Sequence, residues 1–175
     1  MGGGALVVAL VVTAVVLTRG DGGSSSGTGQ AASTAPQHVD RPDLGFSLDL
    51  PASWIVDVDQ TPGSVFYAHS VPPKSSVRIF RSQTRQPLED TMVNVVDGLR
   101  EQGASDFSQH PVAVGGLSGI RLDYVAADGP AGTTATHSSY RVKKGDALFA
   151  VSVATTDRSS DDGVLSGIAS SFRLL

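Results

Sequence analysis

Four histidines, His38, His69, His110 and His137, are the side chains best suited to proton transfer or metal ligation in this chain. No two of them stand as H-x-x-x-H or H-E-x-x-H, the spacings that place two rings on one helix face. Each therefore reads as a surface or strand residue, and only folding could bring three together. "GGLSG" (Gly115–Gly119) approaches the G-x-S-x-G nucleophile elbow, but Ile120 holds the position of the last glycine. The elbow also needs a strand leading into a helix. Here strand leads into strand, which predicts a hairpin turn. "DVD" puts Asp57 and Asp59 on one side of an extended chain, where they could weakly bridge a divalent cation; solvent-facing residues beside a turn are the better reading. Asp161 and Asp162 read as charge at a helix start. Arg78, Arg81 and Arg85 form the one local basic grouping, suited to an anionic headgroup, to an acidic partner, or simply to a strand edge. "DGGSSSGTG" has the glycines of a phosphate loop without G-K-[ST]. "RGD" (Arg19–Asp21) reads as the polar flank of the apolar run before it. The chain has no cysteine, so thiolate nucleophiles, disulfides and cysteine-held metals are excluded. No catalytic residue, cofactor, metal ligand or individual binding residue is assigned.

Composition narrows the partners. Of 175 residues, 40% are hydrophobic and 17% charged, a globular balance with room for one domain. The net charge is −4 and no Lys/Arg surface is visible, which argues against nucleic acid. The preference for Asp over Glu and Arg over Lys points to a GC-rich, actinobacterial type of coding sequence.

The chain divides into three parts. Residues 1–19 are expected to be a membrane anchor or an uncleaved signal. Within them Ala5 to Leu17 is apolar apart from Thr13. As a helix, this run would be about 20 Å long, short of a comfortable bilayer span. That length suits a signal-peptide core, but no basic stretch precedes it and no A-x-A site follows. The true start is therefore expected upstream, or the segment is a membrane span left from a longer protein. Residues 20–40 are a Gly/Ser/Thr-rich tract expected to be a disordered linker. Residues 41–175 are expected to form the globular domain. Bacterial lipoproteins share this order, with a lipid-bearing cysteine after the apolar run. Gly20 stands in that place here, so any anchor is the peptide itself.

Stepping through 41–175, "GFSLDLPASW" alternates Phe46, Leu48 and Leu50 against Ser47 and Asp49, the pattern of a first strand. Pro51 ends it and the turn directs Trp54, the one tryptophan, inward. "SVFYAHS" and "SSVRIFRS" are further strands. Leu88, Met92, Val95, Val96 and Leu99 make one apolar stripe, predicting a helix over Pro87–Gln102 with Gly103 at its end. "HPVAV", "IRLDYVA", "TATHSSYRV" and "ALFAVSVATT" are strands joined by hairpins at "GGLSG" and "KKGD". The last of them is apolar on both sides and predicts a central strand. Ser159 or Ser160 is expected to cap a final helix whose apolar face holds Val164, Leu165, Ile168, Ala169 and Phe172. The class is α+β, with an antiparallel sheet of about six to seven strands covered by helices on its faces, an α/β/α sandwich.

This order resembles the PsbP-like family, which shares its fold with the Mog-type Ran-binding import factor, and in particular actinobacterial surface lipoproteins of the LpqN kind. The likeness rests on "GFSLDLPASW", "PLEDTMVNVVDGLREQG", "VAVGGLSGIRLDYVA" and "GIASSFRLL", and runs from Arg41 to Leu175. It implies a domain that binds or stabilises protein complexes and is not an enzyme. The lipobox cysteine of the lipoprotein members is missing. The expected function is thus a membrane-tethered, extracytoplasmic accessory domain of the cell envelope with a protein partner. The alternatives are a binder of an envelope lipid or glycolipid and, more remotely, a hydrolase assembled only in three dimensions.

Overall fold

The computed structural model describes residues 35–128 and 132–175, and of 158–162 the backbone alone. The apolar segment 1–19, the tract as far as residue 34 and the side chains of Ser159, Ser160, Asp161 and Asp162 lie outside the described residues. Among the described residues, no helix is long and apolar enough to cross a membrane.

The elements follow in the order β1 (Gln37–Arg41), β2 (Phe46–Leu50), β3 (Ile55–Asp57), β4 (Ser64–His69), β5 (Ser75–Gln83), α1 (Leu88–Glu101), β6 (Ser105–Val114), β7 (Leu117–Ala126), β8 (Ala135–Lys144), β9 (Ala147–Thr155), α2 (Arg158–Ser171) and β10 (Arg173–Leu174). Seven strands form one antiparallel sheet in the order β3-β4-β5-β9-β8-β7-β6. β9 lies at its centre, and Leu148 to Thr155 are all buried, as the two-sided apolar pattern predicts. A second sheet, β1-β2-β10, was not expected from the sequence.

Alternation along the strands sorts the large sheet into two faces. Phe66, Ala68, Val77, Ile79, Val142, Phe149, Val151 and Val153 share the first, and pack with β2 and with Leu165, Ile168 and Ala169 of α2. Phe46 and Phe172 stack within this core at 5.7 Å, both fully buried. The opposite face carries Leu122 and Tyr124, over which α1 lays Met92 and Val96. Helices therefore cover both faces, the expected sandwich.

Local chemistry explains the boundaries. Glu89 and Asp90 lie in the first turn of α1 and Arg100 in its last, matching the helix dipole. Gly103 takes φ +87°; its N–H donates to Arg100 O while Ala104 N–H donates to Leu99 O, a Schellman closure. Gly115 and Gly116, at φ +57° and +82°, make the two-residue turn between β6 and β7. "GGLSG" is thus a hairpin turn.

Three expectations need correction. "GFSLDL" is the second strand: Gln37–Arg41 pairs with it in register from Gln37–Leu50 to Arg41–Phe46, and so takes Gln37 to Asp40 out of the expected linker. The Gln37 amide also donates to the carbonyls of Pro51 and Trp54, tying β1 to the turn that buries Trp54. Ser159 and Ser160 lie inside α2, which begins at Arg158. The Thr155 hydroxyl accepts the Asp157 N–H and turns the chain into the helix earlier. Finally, Val164 is 39% exposed and stands outside the α2 core stripe.

Candidate functional site

The helix-covered faces are not equally filled. α1 shields only the β6–β7 end of its face, and a groove of about 790 Å³ runs between α1, the loop at Thr61–Gly63 and the strands β5, β9 and β8. Register places its floor. Arg78 lies opposite Ser152, Ser152 opposite Ser139, and Ser139 opposite Leu122, one row across four strands. The next row toward one side holds Phe80, Ala150 and Arg141; the next toward the other holds Ala154, His137 and Tyr124.

Polar groups here differ in how they are satisfied. Asp59, whose side chain is 8% exposed, accepts from Arg78 Nε at 3.0 Å and from both the N–H and hydroxyl of Thr61. Burial pushes its carboxyl up, but hydrogen bonds from Ser64 and Thr61 and the Arg78 charge outweigh this and hold it below the ordinary value. Arg78 also lies 4.7 Å from the centre of the Tyr67 ring. His137 is buried, stacked on Tyr124 at 4.6 Å, with Nε2 2.8 Å from Asp128 Oδ1. That hydrogen bond lowers the Asp128 carboxyl. Burial raises the Tyr124 phenol, which hydrogen-bonds to Ser152.

Arg141 stands apart. Its Nε is enclosed and makes no hydrogen bond, and among the described residues no carboxylate pairs with it. Burial pushes its guanidinium below the ordinary value, and the nearby Tyr124 acts the other way. Ser139, two residues along β8 on the same face and 1% exposed, also has an Oγ without a partner. A buried donor left without an acceptor costs about 1–3 kcal/mol, so the site is destabilised as it stands.

The residues singled out from sequence spread apart. Each histidine finds its own aspartate: His38 with Asp49, His69 with Asp57, His110 with Asp123 and His137 with Asp128. Among the described residues no three His, Asp or Glu are arranged to hold a metal. Asp57 and Asp59 serve different neighbours, His69 and Arg78. Arg78 and Arg81, three apart on a strand, point to opposite faces: Arg81 lies over the Phe149 ring at 5.7 Å. The expected basic grouping is not one patch. Arg141 was missed, although "SSYRV" carried the signal: Tyr140 and Val142 on the core side place Ser139 and Arg141 together on the other.

A second feature is the sheet edge. β3 is an end strand with all three residues exposed; Ile55, Val56 and the adjacent Val58 are 49%, 48% and 79% exposed. The other end strand, β6, carries Pro111, a register shift between Ser105 and Ser108, and Asp106 at φ +55°, features that blunt an edge.

No family model matches the chain, and no curated protein matches its sequence. Solved structures do. The cyanobacterial PsbP (CyanoP) of Synechocystis sp. PCC 6803 aligns with a TM-score of 0.64 at 14% identity, over 87% of this chain and 98% of that one. The Ran-binding protein Mog1p of Saccharomyces cerevisiae aligns at 0.56 and 9% identity, over 81% and 96%. LpqN of Mycobacterium tuberculosis, described as involved in cell envelope biogenesis, aligns at 0.53 and 12% identity, over 80% and 90%. At these identities the likeness is one of fold, and with its seven-stranded antiparallel sheet between two helices this chain has the Mog/PsbP fold.

Proposed function

We propose that this chain is a non-catalytic accessory domain, tethered by its N-terminal apolar segment at the extracytoplasmic face of the membrane, which binds a protein complex of the cell envelope. The observation that carries the reading is the unprotected apolar edge at Ile55, Val56 and Val58. An exposed strand with unpaired backbone groups and apolar side chains is a template for strand addition by a partner. The fold shared with LpqN supports the envelope setting.

The test is photocrosslinking of the full-length chain in membranes of its host. A crosslinker at Val58 should capture one partner near stoichiometry, one at Leu117 should not, and Val56→Lys should abolish capture. Equal capture from both positions, or a wholly cytosolic chain, would sink the reading.

A second reading has its own observation. The groove under α1 is lined by the apolar Val95, Leu99 and Phe80 and by the polar Arg78, Arg141 and His137. Such a mixed lining suits an envelope lipid or glycolipid. Lipid analysis after gentle extraction should then return one stoichiometric species; a bare polypeptide mass counts against it.

A further inference from the structure

We infer that the groove beneath α1 is an oxyanion site whose anchor is Arg141, and that its ligand presents a phosphate group, as a free ion or at the head of a lipid. This is independent of protein docking at β3. It deepens the lipid reading of the groove by naming the chemistry, and it also stands if the occupant is not a lipid.

Charge balance is the first argument. Among the described residues, Asp128 lines the groove and Asp59 sits beside it on Arg78; each is engaged, Asp59 by Arg78 and Asp128 by His137. Arg141 is left uncompensated, with an enclosed Nε that lacks an acceptor. One anion bound in the groove, which Arg141 lines, supplies the missing charge.

Geometry is the second. Ser139 and Ser152 lie side by side in the row that begins at Arg78, and Arg141 stands one pleat away. Ser139 Oγ, a second polar atom without a partner, lies buried beneath the groove and does not line it. Tyr124 lies close enough to feel both Arg78 and Arg141. Arg78, Ser152, Arg141 and Tyr124 thus line the groove from four strands, β5, β9, β8 and β7. A planar carboxylate is served by a single guanidinium fork, whereas a tetrahedral phosphate has oxygens to accept from several directions. The groove, about 790 Å³ and open to solvent along α1, leaves room for whatever the phosphate is attached to.

The test uses the full-length protein and three probes by calorimetry: inorganic phosphate, dihexanoyl phosphatidic acid below its micelle concentration, and the neutral amphiphile dodecyl maltoside. Phosphate and phosphatidic acid should both bind, and Arg141→Met should weaken both by about tenfold or more. Equal affinity for the two identifies a free phosphate compound; clearly tighter binding of phosphatidic acid identifies a lipid headgroup. A melting series gives a second readout. Without phosphate, Arg141→Met should melt above the wild type, because a buried donor without an acceptor is gone. Added phosphate should raise the wild type and leave the variant unmoved. Arg141→Gln, which keeps a polar side chain, should behave like the Met variant in binding. The inference is overturned if neither phosphate probe binds, or if both bind the variants as well as the wild type. Dodecyl maltoside binding alone, unchanged by Arg141→Met, would overturn it while leaving the lipid reading of the groove intact.

Discussion

At the scale of single residues, the protein separates charges that hold it together from one that does not. Asp59 closes the turn before β4 by accepting from Thr61 and Arg78, so Asp59→Ala should cost about 2 kcal/mol in urea unfolding. Its carboxyl is held below the ordinary value of 3.8 in the native state, as is that of Asp128. A lowered native value means that the unfolded chain binds protons first. The stability they contribute is complete above about pH 5 and is lost as pH falls through the lowered native values. Urea midpoints measured from pH 6 to pH 2 should fall steeply for the wild type and less steeply for Asp59→Asn. In the apolar core, Phe172 is fully buried and stacks on Phe46; Phe172→Ala should cost about 3–5 kcal/mol. The phenylalanine was legible in the sequence as part of an apolar stripe. The face of Arg141 was legible in "SSYRV", but its enclosed Nε was not, because an arginine in a strand ordinarily faces water.

At the scale of elements, the tightest constraint is the approach of β7 to β8. A methyl group on Gly119 would lie 2.5 Å from the carbonyl oxygen of Arg141, and the neighbour is backbone, which cannot step aside. Gly119→Ala should destabilise the domain by about 2 kcal/mol or more, seen as a lowered melting temperature, whereas Gly98→Ala, with open space around it, should not. The elements with strong periodicity were readable in advance. α1 fell within one residue of its expected span because stripe, end charges and the closing Gly103 agree. β1 was not, because "QHVDR" has no apolar face of its own and exists through backbone pairing with β2. The short β10 was hidden for the same reason, and the groove could not be foreseen because its residues come from loops, a helix and four strands spread between Thr61 and Ser152.

At the scale of the whole molecule, the proposed anchor and the domain should be separable. A chain starting at Pro36 keeps β1 and every later element. It should melt within about 2 °C of the full-length protein, the shift expected for less than 1 kcal/mol. It should also lose sedimentation with membranes, which the full-length chain should show. A truncated form that still pellets would place the membrane contact in the domain itself.

The small sheet sets the order in which the molecule can be completed. β2 is flanked by β1 on one side and by β10 on the other, and the Leu175 N–H donates to Gly45 O. Residues 173–174 are therefore partners of residues 46–47, near the start of the folded domain. A nascent chain cannot close its core until Phe172, Arg173 and Leu174 have left the exit tunnel and reached Phe46 and Ser47. A chain threaded lengthwise through a narrow pore would stay pliable until its end was released, and would then fold on the far side.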